Sequence, residues 1–463
     1  MSSFRLYSIL FVFMPVMLVL MLSIAASGQG PRDPFVDFTD TIRSPLAIES
    51  PPFFYPGATS ELVAHTALPS LYRSPSARAI SYRKALVRTI DSLYKVQLIG
   101  EPYHVAMLQK LIQPPTSSSA TRIDTSMMAS SYFLDALLAT AFDLFRGYKV
   151  ASSIGYDKIS LVYRQRDDSI IKAGILAAAT PEQLFRWLFS LEPSQRAYVL
   201  LKKTFIDRQR VAAGALRSTS RDTLLKMRHS LHLYRWLFHF KLNRFLLVNI
   251  AAASAQYIEN DQFLLSMRAI VGKPSTPTPR FASYCNRLIL YPYWYVPSSI
   301  AIGEYLSKIK RDPGWLDRRN MQVIDAKGSV VNHHRLNWRQ FSAAYFPYTI
   351  RQSTGCDNAL GVLKFDIETP YGVYLHDTNH KAAFLQTSRF LSHGCIRLEE
   401  PLLLGNKLLN GGLDTTYLQS CFADKKPIYR SLPEPLPVFC LYLPASIDER
   451  GQLCLYRDVY RWL

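Results

Sequence analysis

Residues 391–400 read Leu-Ser-His-Gly-Cys-Ile-Arg-Leu-Glu-Glu, and residues 374–378, just upstream, read Tyr-Leu-His-Asp-Thr. The first stretch gathers Ser392, His393, Gly394, Cys395 and Arg397 into a short loop-like run. A cysteine nucleophile needs a neighbouring base to raise its thiolate fraction, and His376 and His393 are the two candidates. The competing reading is a buried structural cysteine with two ordinary histidines. Residues 372–377 have the alternation and aromatic content of a short strand, which would put His376 at the mouth of a sheet. Gly394 permits an unusual backbone angle just before the cysteine. The N–H groups of Gly394 and Cys395 could then face a developing oxyanion. A cysteine on such a turn, facing a strand-end histidine, is an acyl-transfer arrangement.

The same residues resemble the active-site signature of the bacterial L,D-transpeptidases. Arg351-Gln352, Asn358-Ala359-Leu360-Gly361 and Lys364-Phe365 are similar to further blocks of that family, in the same order. Arg389-Phe390, Asn249-Ile250, Trp294-Tyr295-Val296-Pro297 and Pro437-Val438 also fall in sequence order. The resemblance runs from about Leu134 to the C-terminus. It is nearest to the large periplasmic members with an N-terminal helical scaffold. It implies a multidomain α+β protein: a helical scaffold and a β-sandwich-like catalytic domain with an inserted cap. It implies Cys395 as nucleophile, His376 as base, and His393 and Gly394 as supporting catalytic residues. Arg397, Ser392, Asn358, Tyr374 and Trp294 would contact substrate.

The chain has 463 residues and a formal net charge of +19, enough for two or more domains. Such a charge favours an anionic partner without naming one. No nucleic-acid reader motif is present, so nucleic acid is not expected. Arg5 is the single charged residue of the first thirty, and an apolar run follows from Ile9 to Ala26, interrupted by Pro15. Residues 1–30 therefore read as a signal peptide or an uncleaved N-terminal membrane anchor, and either places the rest outside the cytoplasm; the resemblance implies the periplasm, with an uncleaved anchor in the inner membrane. Residues 31–80, rich in Pro, Ser and Thr, read as a tether.

Helical periodicity begins at Ser81 and marks a scaffold over 81–241. Expected helices cover residues 82–97, 107–112, 131–145 (with Gly147 as its C-cap), 182–191 and 193–204. Eleven Lys or Arg stand in residues 202–244, a polymer-binding surface or simply a solvated helical face. The stretch 207–223 is too short for the separate wall-binding module of many relatives. His229, His232 and His239 lack accompanying carboxylates and do not read as a metal site.

The catalytic domain is expected over 242–463. Strand candidates are residues 245–252 and 256–263, joined across Glu259-Asn260-Asp261. The cap insertion is placed at about 273–345, helical and irregular, with a helix over 298–308. Closing strands are expected at 437–442 and 453–459. His376 and His380, with His393 and Cys395, could be drawn as a four-ligand zinc site, but strand spacing separates them. Of six cysteines, Cys395 should stay free. Cys356 is a second thiol with no base. A local bridge is possible among Cys421, Cys440 and Cys454, and the pairing stays open.

By resemblance, the donor is a peptidoglycan tetrapeptide stem. The acyl group passes to Cys395 and then to the side-chain amine of a second stem, giving a three-to-three cross-link. Water as acceptor would make an L,D-carboxypeptidase, and an inactive wall-binding protein is the third possibility. No metal or organic cofactor is implied, and the oligomeric state is open.

Overall fold

The computed structural model describes residues 53–55, 58–59, 62, 77–112, 119–178, 180–212 and 218–463. The apolar run at 9–26 and most of the expected tether lie outside them. Among the described residues no helix is long and apolar enough to cross a membrane.

The helical unit is built around one helix that is buried on all sides. Helices α1 (Ala77–Lys95), α2 (Val105–Leu111) and α3 (Ser119–Arg146) come first. From Ala129 to Phe145 almost every α3 side chain is buried, including Asp135 and Asp143. A helix apolar all round belongs in a core, and its two carboxylates must be satisfied there. Asp135 accepts from the backbone N–H of Phe54 and Tyr55, both at 2.8 Å. Asp143 accepts from Gly100 N–H at 2.7 Å and from the Tyr103 hydroxyl at 2.5 Å. Helix α3 ends where Gly147 turns to φ +75°, and a Cβ there would meet the His232 carbonyl oxygen at 2.3 Å.

The bundle continues through the short α4 (Val150–Ser153), α5 (Lys158–Ala177), α6 (Pro181–Ser190), α7 (Arg196–Ala212) and α8 (Ser218–Phe238). Pro181 sits in the first turn of α6, closed by a Thr180–Gln183 capping box, as its sequence signals. The basic stretch 202–244 is largely α7 and α8. His229, His232 and His239 are buried in the bundle.

The second unit is a sheet that closes on itself. Its strands are β2 (Arg244–Asn249), β3 (Ser254–Glu259), β4 (Gln262–Gly272), β5 (Phe281–Leu290), β10 (Leu363–Ile367), β11 (Leu375–His376), β13 (Ile396–Leu398) and β14 (Ile428–Leu441). Hydrogen bonding runs β5-β10-β11-β13-β4-β3-β2-β14, and β14 pairs back onto β5. The expected sandwich is thus a continuous barrel-like wall, with β1 (Tyr156–Asp157) added beside β5 and β12 (Phe390–Ser392) beside β4. Asn260 and Asp261, at φ +50° and +60°, make the two-residue turn between β3 and β4, as hairpin twist requires.

Strand alternation divides the side chains of β2. Leu246 and Val248 fill the barrel, whereas Phe245 and Leu247 join the helical core outside it. Phe439 of β14 also faces out, its ring 5.6 Å from Trp236 and 5.7 Å from Phe240 of the α8 end. The helical unit and the outer face of these strands therefore share one apolar core, separate from the barrel interior. The segment 453–459 does not extend this sheet: β16 (Leu453–Leu455) pairs only with β15 (Ala445–Ile447). That hairpin instead packs on the helices, with Ala445 N–H donating to the Ser230 hydroxyl at 3.0 Å.

The expected insertion at 273–345 needs correction at both ends. Residues 281–290 are β5, the strand shared by β10 and β14. A separate lobe follows, with its own sheet of β6 (Trp294–Tyr295), β9 (Thr349–Gln352), β7 (Met321–Ile324) and β8 (Val330–Val331) in that order. It has its own core, including Val296, Leu316, Val323, Trp338, Phe341 and Ile350. Residues 298–311 are helical, with a π-helical turn over Ala301–Tyr305.

Candidate active site

Strand register assembles the site. Lys364 of β10 pairs with His376 of β11, and His376 pairs with Arg397 of β13. Paired residues share a face, and residues two apart along a strand share it again. Leu363, Phe365, Leu375, Ile396 and Leu398 point into the barrel core. Lys364, Tyr374, His376, Cys395 and Arg397 are thereby directed together to the outer face.

The turn before the thiol is fixed from both sides. The Ser392 hydroxyl donates to Cys395 C=O at 2.6 Å and accepts from Gly394 N–H at 3.1 Å. Gly394 has φ +118°, a conformation that disfavours a side chain. Its carbonyl accepts from the Thr278 hydroxyl at 2.8 Å, and Lys273 N–H donates to Ser392 C=O at 2.9 Å. Ser392 is 2% exposed, so it shapes the turn and does not face a substrate. The Gly394 N–H is likewise taken up inside the turn, which removes it from the expected oxyanion pair.

The Cys395 thiol lies against two residues of the segment leading into β11. Its Sγ is 3.9 Å from Gly372 C=O, and Tyr374 reaches it with both hydroxyl and backbone N–H. Burial pushes the thiol pKa up, against the opposing pull of Tyr374, Lys364 and Arg397. Among the described residues no hydrogen bond joins Cys395 to His376. His376 is 3% exposed. Burial, then the Arg397 charge, lowers its pKa to about 3. Its Nδ1 lies against Asp377 C=O, which fixes the proton on Nδ1 and leaves Nε2 as an acceptor. Thiol and imidazole are thus both neutral near pH 7.

Two further contacts bring the lobe to this face. The Trp294 side chain reaches the Tyr374 hydroxyl, and His393 Nε2 lies 2.7 Å from Glu304 Oε1. His393 is therefore bound to the lobe and not to the thiol, so His376 is the histidine placed on the thiol's face. Lys364 Nζ stands 4.1 Å over the Tyr374 ring, and burial lowers its pKa.

Asn358 departs from its expected role at the substrate. It is fully buried, its amide N donating to Ser353 C=O at 2.7 Å and its Oδ1 accepting from Leu360 N–H at 2.7 Å. It holds the loop before β10. Cys356 is bonded to Cys421, which removes it as a rival nucleophile and leaves Cys440 and Cys454 without the local bridge. Among the described residues the drawn His376/His380/His393/Cys395 ligand set is not gathered, His393 reaching Glu304 of the lobe instead. Sequence reading missed Thr278 and Glu304, distant in the chain and without motif. Lys364 stands out in the sequence only through the Lys364-Phe365 pair.

Three comparisons bear on this arrangement. Residues 243–412 match the YkuD family model, the L,D-transpeptidase catalytic domain. A protein of Haemophilus influenzae (strain ATCC 51907 / DSM 11121 / KW20 / Rd), named "Putative L,D-transpeptidase", is 33% identical over 214 residues, 46% of this chain and 43% of that protein. The match thus spans under half the length of that relative. Among solved structures, an L,D-transpeptidase from Mycobacterium smegmatis is 18% identical, with TM-score 0.21, covering 43% of this chain and 58% of that one. L,D-transpeptidase 1 of Mycobacterium tuberculosis is 16% identical, with TM-score 0.16, covering 43% and 61%. Scores of that size leave the assignment to the family match and the sequence relative. On those two, the chain carries a catalytic domain of the L,D-transpeptidase family over residues 243–412.

Proposed function

We propose that this protein is a periplasmic peptidoglycan L,D-transpeptidase that forms three-to-three cross-links through a thioester on Cys395. The supporting observation is the outer face shared by the thiol, the His376 acceptor nitrogen and the Arg397 guanidinium, with no acidic side chain pairing with Arg397 among the described residues. Burial lowers the Arg397 pKa, and its Nε has no hydrogen-bond partner. A half-buried cation without a counter-charge is under-solvated, and a stem-peptide carboxylate supplies one with matching fork geometry.

In this reading the thiol turns from Tyr374 towards His376 Nε2 as the donor binds. Sγ attacks the carbonyl of the L-centre while its proton passes to Nε2. The tetrahedral adduct collapses when His376 returns the proton to the departing D-Ala amine. The side-chain amine of an acceptor stem then attacks the thioester, losing its proton to His376 and releasing Cys395. The Tyr374 hydroxyl, already at the sulfur, steadies developing charge.

Mass analysis of products from purified tetrapeptide stems tests the proposal. Cross-linked dimers and free D-Ala are expected, and Cys395→Ala should give neither. A carbapenem should add its mass to Cys395 and not to that variant. Tripeptide release without dimers would make water the acceptor, and an adduct elsewhere would overturn the nucleophile.

A further inference from the structure

The lobe holds a second polar cluster, away from Cys395. Asp317 lies in the 3-10 turn Asp317–Arg319, and His333 and His334 lie in the turn His333–Arg335. His333 Nε2 is 3.2 Å from Asp317 Oδ1, and His334 Nε2 is 2.9 Å from Asp317 Oδ2. One donor atom from each of the three residues lies within 4.8 Å of the others. His333 is only 9% exposed, and its Nε2 is buried with no hydrogen-bond partner. His333 Nε2 thus faces a carboxylate and a second imidazole without making a hydrogen bond to either, an arrangement that a bound cation would satisfy. The Asp317 and His334 side chains are 51% and 56% exposed, which leaves an entry from solvent.

We propose that Asp317, His333 and His334 bind one Zn2+ ion that clamps these two turns of the lobe together. Two imidazole nitrogens and one carboxylate oxygen suit a borderline cation with water in its fourth position. Calcium and magnesium call for many more oxygen ligands. The ligands are held in advance, as a metal site requires. The Trp338 indole N–H donates to His333 C=O at 2.8 Å, and the Asn332 side chain accepts from His334 N–H at 3.1 Å. Two nearby cations are engaged elsewhere: Arg318 pairs with Asp312, and Arg319 lies 4.1 Å over the Trp315 ring. The site takes no part in the proposed acyl transfer. It stabilises the lobe that carries Trp294 and Glu304.

Calorimetric titration of the chelator-treated full chain with ZnCl2 tests this, in a Cys395→Ala background so that the active-site thiol cannot contribute a ligand. One saturable equivalent is expected, with a zinc-dependent rise in Tm. Asp317→Asn and His334→Ala should each weaken binding by roughly tenfold or more and abolish that rise. Zinc X-ray absorption of the unsubstituted ligand set should show two imidazoles, and it decides the matter if a variant fails to fold. No saturable binding, an edge spectrum without two imidazoles, or the same affinity in both variants would overturn the proposal.

Discussion

Arg268 holds Glu399 from across the sheet, its Nε 2.8 Å from Oε1 and its backbone N–H 3.1 Å from Oε2. That pairing takes up the carboxylate nearest in sequence to Arg397, so Glu399 is held by Arg268 and not by Arg397. Arg397→Lys is expected to impair acylation markedly, because an ammonium cannot reproduce a two-bond fork. The loss should be larger for stems with free carboxylates than for amidated ones. Equal losses on both stems in steady-state kinetics would remove the clamp.

The free thiol should titrate late. Its pKa is raised by burial from the ordinary 9.0, so iodoacetamide alkylation of Cys395 should climb with pH through a midpoint above that value. A plateau already reached near neutrality would instead indicate a resting thiolate–imidazolium pair.

Acid should destabilise the protein already in the range where unfolded histidines take up protons. Burial lowers the pKa of His376 and His229 to about 3, and of His232 well below its ordinary value. Unfolded, these side chains titrate near 6.5. Their folded values lie below their unfolded ones, so their contribution is whole above about pH 6.5 and is lost as pH falls towards 3. Asp143, raised to about 6, and Asp157, also raised, oppose this by taking protons in the folded state first. With three histidines against two aspartates, the urea midpoint should drop between about pH 7.5 and about pH 5. A midpoint that holds or rises would count against neutral buried histidines.

Gly361 should resist substitution. Its φ is +59°, and a Cβ there would stand 2.2 Å from Asp377 Oδ2. Asp377 accepts from Val362 N–H at 3.0 Å and follows His376 directly. Gly361→Ala is expected to cost about 1–3 kcal/mol by backbone strain and to lower activity by moving the strand end that carries His376. Denaturation and kinetics on one preparation would check both.

The disulfide between Cys356 and Cys421 should be structural. It is supported by Ser353 donating to Asp424 Oδ1 at 2.7 Å and Thr354 donating to Lys425 C=O at 2.9 Å. Replacing both cysteines by serine should cost about 2–4 kcal/mol while leaving Cys395 reactive. Loss of labelling at Cys395 in that folded variant would contradict it.

The chain by itself determined what depends on neighbours in sequence. The helix start at Pro181, the Gly147 helix end and the Asn260-Asp261 hairpin are local conformational preferences and are legible in the sequence. So are the clustered motifs around His376 and Cys395, because their chemistry is carried by residue type and spacing. Tertiary structure decided what depends on pairing between distant segments. β5 was hidden inside an apparent insertion, since its partners β10 and β14 lie some way downstream. Ser392 and Asn358 turned inward because buried backbone groups nearby needed hydrogen-bond partners. His393 went to Glu304, and Cys356 to Cys421, through contacts that no local signal announces. The shared face of Lys364, His376 and Arg397 rests on strand register, and a slip of one residue would have sent each to the opposite side.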